Sequence, residues 1–298
     1  MTADASSSDP LAAASSKAAV LLEALGYIQR FHDKTVVVKV GGSIMDDEAA
    51  LARLLTDVVF MNYVGMQPVI VHGGGKAINA AMGEAGIEPR FVEGRRYTDD
   101  ATLGIAEQVL CGQINPFIVH FIRSQGCESM GLTSLGSNVL YAQRVTGDEG
   151  QDLGHVGQAT NVNRRMLQLL VQADAIPVIS TIGIDADTGQ KLNVNADTAA
   201  GAIAAAMRAD KLVVVSDTHG IRRDVDDPAT RISSVTAAGI DELIQEGVIA
   251  GGMLPKVDAC LQALRGGAEK AHIIDGRTPH ALLLEIYTAD GIGTEITL

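Results

Sequence analysis

TVVVKVGGS, residues Thr35–Ser43, sets valines on either side of one lysine and then runs straight into glycine. A short β-branched run of this kind reads as a buried parallel strand. Gly41 and Gly42 let the backbone turn tightly and approach a ligand. The segment after them, Asp46–Tyr63, has helical character. Strand, glycine turn and helix together aim backbone N–H groups at a phosphate. Lys39 is the exception in an apolar strand. Its charge costs free energy there unless it meets an anion, or unless it lies at a strand end and snorkels to water.

Gln67–Gly75, QPVIVHGGG, repeats the design, and a helix over Lys76–Gly86 follows. HGGGK lacks the GxxxxGK[ST] spacing of a Walker A loop. Two such units side by side predict a doubly wound α/β sheet, whose ligands sit at the carboxyl ends of the strands. No GxGxxG follows any strand, which argues against a Rossmann dehydrogenase. FVEGRRYT then places Arg95 and Arg96 just past the second glycine turn. Such arginines are either surface charges or a bidentate hold on a carboxylate. Thr98 reads as an N-cap, with Asp99 and Asp100 in the first turn of a helical region running to Gln125 and interrupted near Asn115–Pro116.

Farther along, Ser129–Thr160 reads as hairpins and loops, and IPVIST (176–181) as another buried strand. In LNVNAD (192–197), Asn193, Asn195 and Asp197 lead into an Ala-rich helix over Thr198–Met207. They are either turn and capping residues or polar side chains of a site inside the core. KLVVVSDTHG (211–220) ends a strand in Ser216–Asp217. GGMLPK (251–256) puts Lys256 at a helix start, where a cation is disfavoured unless an anion compensates it. His272–Asp275 reads as a last central strand and Gly291–Thr297 as an edge strand.

The 298 residues suffice for one large α/β domain or two lobes. A net charge of −13 argues against nucleic acid and anionic membranes as partners, and requires that any phosphate site gather its cations locally. Cys111, Cys127 and Cys260 form no CxxC pair and read as free thiols in a reducing compartment. No apolar run approaches the roughly 20 residues of a membrane span. The first 16 residues lack a basic n-region and read as a disordered tail, so a cytoplasmic location is expected. Leu21, Leu25 and Ile28 give Lys17–Asp33 one apolar helical stripe.

Lys39–Gly42, His72–Gly75, Asn193–Asp197, Ser216–Gly220 and Gly251–Lys256 together resemble the amino acid kinase family, over about residues 34–298. Within it the chain looks most like the kinases of N-acetyl-L-glutamate. The resemblance implies an α/β fold: a three-layer αβα sandwich with an open, mainly parallel central sheet, plus an N-terminal helix extension. It implies an N-acetylglutamate-binding lobe (34–195) and an ATP-binding lobe (196–298). It implies transfer of the γ-phosphoryl of ATP to the side-chain carboxylate, with Mg²⁺ carried mainly by ATP and no dedicated metal site. Lys39 and Lys256 would stabilise the transferring group, and Asp197 would hold both lysines. Gly74, Gly75, Arg96 and Asn193 would hold the substrate. Gly41, Gly42, Gly73, Ser216, Asp217, Gly220 and Gly252 would line the phosphate and nucleotide path.

Helix 17–33 and Ala281–Thr294 resemble the arginine-sensitive type. That implies L-arginine as an inhibitor near Tyr27, His272, Glu285 and Gly291, and a homo-oligomer built as a hexameric trimer of dimers. The loop GLTSLGSN (131–138) departs from the family by lacking a Gly-Lys-Asp cluster. The alternatives are a family member acting on glutamate, an aminoadipate derivative or a nucleoside monophosphate, or a catalytically silent arginine sensor.

Overall fold

A computed structural model describes residues 10–288 and 291–298. The chain opens with α1 (Pro10–Phe31), β1 (Thr35–Val40), α2 (Glu48–Tyr63), β2 (Gln67–His72) and α3 (Gly75–Glu84). A small hairpin, β3 (Phe91–Val92) and β4 (Arg95–Arg96), precedes α4 (Asp100–Val109), a π-turn over Leu110–Ile114, and α5 (Asn115–Ser124). Next come β5 (Ser129–Leu132), β6 (Leu140–Thr146), β7 (Asp152–Val162), α6 (Arg164–Gln172), β8 (Ile176–Ser180), β9 (Ile182–Ile184) and β10 (Lys191–Val194). The remainder is α7 (Ala196–Met207), β11 (Lys211–Ser216), β12 (Ser234–Thr236), α8 (Ala237–Gln245), α9 (Leu254–Arg265), β13 (Lys270–Asp275), α10 (Ala281–Tyr287) and β14 (Thr294–Thr297).

Eight strands form one sheet in the order β12-β14-β13-β11-β1-β2-β8-β5. All its pairings are parallel except β13–β14. The period of two sorts β1 onto both faces. Val36, Val38 and Val40 join a core with residues of α2, α5 and α10, while Val37 packs on the opposite side with α6, α7 and α9. Helices therefore cover both faces of a mainly parallel sheet, as the sequence predicted. The small residues of α7 let it lie close to α9: a Cβ on Gly201 would stand 2.7 Å from the Ala259 carbonyl oxygen. Among the described residues no helix is long and apolar enough to cross a membrane.

Some boundaries differ from the sequence reading. The first helix begins at Pro10, so residues 10–16 are helical and not a tail; residues 1–9 lie outside the described residues. Proline is well tolerated at a first helical position, and alanine is the strongest helix former. That helix ends at Phe31, because Asp33 adopts a left-handed φ of 62°. Thr98 caps nothing. Asp99 is the cap of α4, accepting from the Thr102 N–H at 2.8 Å, while Thr98 is buried. The 129–160 stretch holds a hairpin as read, β6 paired antiparallel with β7, but β5 joins the main sheet and the hairpin closes with β9 and β10 into a small barrel. β14 lies inside the sheet, and β12 takes the edge.

Candidate active site

The carboxyl ends of β1 and β2 meet the N-termini of α3 and α7 around a cleft of about 740 Å³. Helix N-termini leave backbone N–H groups without intrahelical partners, so this end of the sheet is rich in donors aimed at a shared space. Lys39, Gly41, Gly42 and Gly73–Gly75 line one part of the cleft; Arg96, Asn193 and Asp197 line others. Gly42 turns at a φ of 67°, which favours glycine. Gly41 has extended backbone and is needed for space: a Cβ there would stand 2.5 Å from the Lys39 ammonium.

Lys39 follows Val37 on the α7 face of the sheet. Its ammonium stands 2.8 Å from Asp197 Oδ1, with both side chains nearly buried. The lysine in the apolar strand has met an anion and does not snorkel. Asn195, not Asp197, caps α7, accepting from the N–H groups of Asp197 and Thr198. Apart from the ion pair with Lys39, Asp197 Oδ1 has no hydrogen-bond partner among the described residues. A carboxylate oxygen carries two lone pairs, so it keeps capacity for a further donor.

Arg96 and Asn193 are linked through the residue between them. Asn193 Nδ2 donates to Thr98 Oγ1 at 3.2 Å, and that hydroxyl donates to the Arg96 carbonyl at 2.8 Å. The guanidinium donates to the Gly75 carbonyl at 3.0 Å and stacks 4.9 Å from the centre of the Phe91 ring. Burial lowers its pKa from the usual arginine value. Among the described residues no carboxylate pairs with it.

Lys256 is not brought to this cleft. Its ammonium turns back on the 3₁₀ turn Gly251–Met253 ahead of α9 and donates to the Gly252 carbonyl at 2.8 Å. That carbonyl lies four residues back along the chain, within easy reach of a flexible side chain. The cleft face of α9 carries Asp258, Leu261, Gln262 and Arg265 instead. Their i, i+3, i+4, i+7 spacing was present in the sequence as a helical face, but no glycine turn or buried charge marked it.

Ser216, Asp217 and Gly220 lie outside the cleft lining, at the end of β11. Asp217 faces Gly42, whose Cβ position is 3.7 Å from the Asp217 carboxylate. Gly220 has a φ of 78° and sits against Thr294. Asp275, paired with Ser216 in register, was missed by the sequence reading. Its buried carboxylate pairs with Arg277 at 2.6 Å and His219 at 2.9 Å. Burial pushes its pKa up, but the hydrogen bonds from Arg277 and the His219 charge outweigh that and hold it below its usual value.

A second cluster brings together His272, Glu285 and Gly291, while Tyr27 reaches it only through Tyr287 of α10. His272 Nδ1 donates to Glu285 Oε1 at 2.6 Å, and Glu285 Oε2 accepts from the N–H groups of Ile292 (2.7 Å) and Gly293 (2.9 Å). A Cβ on Gly291 would stand 2.8 Å from Glu285 Oε2. Tyr27 meets Tyr287 edge-on at 6.2 Å. Lys211, at the start of β11, completes the cluster with its ammonium 3.2 Å from His272 Nε2 and over the Phe31 ring. Its sequence neighbours read only as a buried strand, so nothing local pointed to it. Burial lowers the pKa of both Lys211 and His272. For Glu285 burial acts upward, but the bonds from His272 and the backbone prevail and lower it.

The profile of the amino acid kinase family matches residues 34–275. An acetylglutamate kinase of Symbiobacterium thermophilum is 47% identical over 94% of this chain and 97% of its own. One from Thermosynechococcus vestitus is 47% identical, with 94% of each chain covered. Among solved structures, the N-acetylglutamate synthase of Neisseria gonorrhoeae complexed with coenzyme A and N-acetyl-glutamate superposes with a TM-score of 0.83 at 23% identity. That match covers 94% of this chain and 63% of the longer synthase. The carbamate kinase of Giardia lamblia bound to AMP-PNP matches at a TM-score of 0.65 and 16% identity, over 89% of this chain and 98% of that one. At these identities the two structures speak to the fold.

Proposed function

Because the chain belongs to the amino acid kinase family, we propose that it transfers the γ-phosphoryl of ATP to the side-chain carboxylate of N-acetyl-L-glutamate, giving N-acetyl-L-glutamyl 5-phosphate in arginine biosynthesis. It is a kinase with a carboxyl group as acceptor. The observation that carries the reading is one cleft holding both the buried Lys39–Asp197 pair and the Arg96 guanidinium, beside two glycine turns. A carboxylate is already a nucleophile at neutral pH, so no general base is required. Positioning and neutralisation of charge remain. Arg96, with Asn193 tied to it through Thr98, would orient the substrate's carboxylate end against Gly74 and Gly75. Lys39 and the amides of Gly41, Gly42 and Gly73 would receive the phosphoryl oxygens.

Asp197 would hold Lys39 and, through the spare capacity of Oδ1, receive Lys256 once that side chain leaves the Gly252 carbonyl. Ser216, Asp217, Gly220 and Gly252 would border the nucleotide, so residues 34–195 serve the acceptor and 196–298 serve ATP. Mg²⁺, when bound with ATP, supplies further neutralisation of the phosphate oxygens. Among the described residues no three or more His, Cys, Asp or Glu side chains are grouped to hold a metal ion. Asp197 is committed to Lys39, so this donor set suits an ion held mainly by the nucleotide.

Hydroxylamine trapping tests the reaction. With ATP and N-acetyl-L-glutamate the protein should form acyl phosphate, whereas unacetylated glutamate should give at least about tenfold less, the scale of one missing polar contact. Equal signal from both would move the assignment to another family member. No signal from either would favour a silent sensor.

The effector cluster belongs to the same reading: L-arginine would bind beside Glu285, pairing its guanidinium with that carboxylate. Exposed Leu21, Leu22 and Leu25 on α1 support a subunit contact in a cytoplasmic hexamer. Glu285→Gln should weaken arginine inhibition by about tenfold or more, the scale of a charge-assisted bond. It should also lower stability near neutral pH by about 2 kcal/mol, because two backbone donors lose an anionic acceptor. The folded-state pKa of Glu285 is depressed, so its contribution is present above the unfolded value of about 4.3 and fades as the pH falls through the folded value. The melting gap between wild type and Glu285→Gln should therefore narrow below about pH 4. An unchanged arginine response would remove Glu285 from the effector site.

A further inference from the structure

His72 ends β2 immediately before the glycine turn, and no part of it is exposed. Asn115, the first residue of α5, reaches it with Nδ2 at 3.1 Å from His72 Nε2. The same nitrogen stands 2.8 Å from the Val178 carbonyl. A carbonyl oxygen can only accept, so the Asn115 atom between these partners is the amide nitrogen, with one N–H for each. His72 Nε2 must then offer its lone pair. The ring proton is left on Nδ1, which stands 3.2 Å from the Gly73 carbonyl. An imidazolium would set an Nε2–H against an amide N–H. Burial acts in the same sense, pushing the His72 pKa down to about 4.

We propose that His72 is a positioning residue for phosphoryl transfer: a neutral imidazole, locked by Asn115 with its proton on Nδ1, that donates to the Gly73 carbonyl and so fixes the direction of the Gly73–Gly75 amides. The inference rests on the reading above, in which those amides meet the reacting groups. A carbonyl and the next N–H belong to one planar peptide unit, so holding the Gly73 oxygen aims the Gly74 N–H. The other side of the loop is held from the same quarter. Leu110 and Ile114, the ends of the π-turn, cover Gly74 so closely that a Cβ there would stand 2.8 Å from Leu110 Cδ2 and 2.5 Å from Ile114 Cδ1. The π-turn thus backs Gly74 and delivers Asn115, which suits the frequent occurrence of π-bulges at functional sites. Gly131 on β5 makes room for Asn115: a Cβ at that position would collide with Asn115 Oδ1.

Two conservative variants separate the two ring contacts. In His72→Asn the side-chain amide occupies the place of Nδ1 and can donate to Gly73, but loses Asn115. In His72→Gln the amide occupies the place of Nε2 and can accept from Asn115, but loses Gly73. Asparagine should keep kcat within about threefold, the scale of a modest hydrogen-bond change. Glutamine should lower kcat about a hundredfold, the scale of a 1 Å misplacement, with KM for either substrate little changed. A residue that merely filled space would give the reverse order, because glutamine replaces more of the ring volume. Glutamine equal to or better than asparagine would overturn the proposal.

Long-range ¹H–¹⁵N spectra of the ¹⁵N-histidine-labelled full chain give a readout that needs no variant to be active. The His72 ring should be protonated on Nδ1 alone at pH 7, and an Nε2–H tautomer or a cation would overturn the proposal. If wild type makes no acyl phosphate while the tautomer is as stated, the kinase reading fails and the clamp on Gly73 stands.

Discussion

Lys39→Met should lower acyl-phosphate formation by about a thousandfold or more, beyond the 10²–10³ that single neutral donors contribute to developing oxyanions. The expectation follows from where the ammonium sits. It is nearly buried, beside Gly41, and 2.8 Å from Asp197 Oδ1. Low-dielectric surroundings strengthen its pull on phosphoryl oxygens. A second consequence separates catalysis from folding. Lys39→Met alone strands the Asp197 carboxylate in a buried site, which costs about 3–5 kcal/mol. Adding Asp197→Asn removes the stranded charge, so the double variant should regain most of that stability and none of the activity. Chemical denaturation and hydroxylamine trapping on the same preparations measure the two effects. A Lys39→Met variant retaining more than about a tenth of the wild-type rate would remove Lys39 from phosphoryl stabilisation.

The parts of this fold legible in the sequence were those written in local spacing. TVVVKVGG and QPVIVHGGG each carry a whole strand and turn, and both lie at the centre of the sheet as β1 and β2. Lys39 was legible as an anomaly, since a charge in an apolar strand demands a partner, and Asp197 was legible as one polar residue among three leading into an Ala-rich helix. Their pairing is long-range and rests on the two faces of β1, which only the packing of α7 decides.

What escaped reading was non-local. Thr98 has the residue type and neighbours of a cap, but its hydroxyl is taken by Asn193 and the Arg96 carbonyl, far away in sequence or on another element. The barrel strands β9 and β10 are only three and four residues long, too short to show a period, and beyond pairing with each other they rest on the distant β6 and β7. Lys211 looks like the polar start of a strand until His272 and Phe31 surround it. Residues 10–16 were misjudged because serine and alanine suit both a solvated tail and a helix. The conformation of Lys256 is beyond any spacing argument, since a long side chain can take the nearest carbonyl or the far carboxylate with similar ease.

Arg96→Lys should raise KM for N-acetyl-L-glutamate by about 10²-fold and change kcat far less, because the loss is in holding the substrate and not in the transferring group. A guanidinium presents donors in a rigid planar fork, whereas an ammonium is a compact point charge. Here one donor is already used on the Gly75 carbonyl at 3.0 Å and another on Met82 Sδ at 3.3 Å, and the Phe91 ring fixes the plane. The remaining donors face a cleft, in a protein of net charge −13, with no carboxylate among the described residues paired to them. Lysine could keep the charge and satisfy either Gly75 or the substrate, but not both in the geometry of a two-point clasp. A charge-assisted bond is worth about 1.5–3 kcal/mol, which brackets the tenfold to hundredfold range. The hydrogen-bonded chain from Asn193 through Thr98 ends on the Arg96 backbone, so the substitution should leave it in place and the variant folded. Steady-state kinetics in both substrates would show the split. A fall in kcat with KM unmoved would place Arg96 on the transferring phosphoryl and return the substrate's carboxylate to the glycine turn alone.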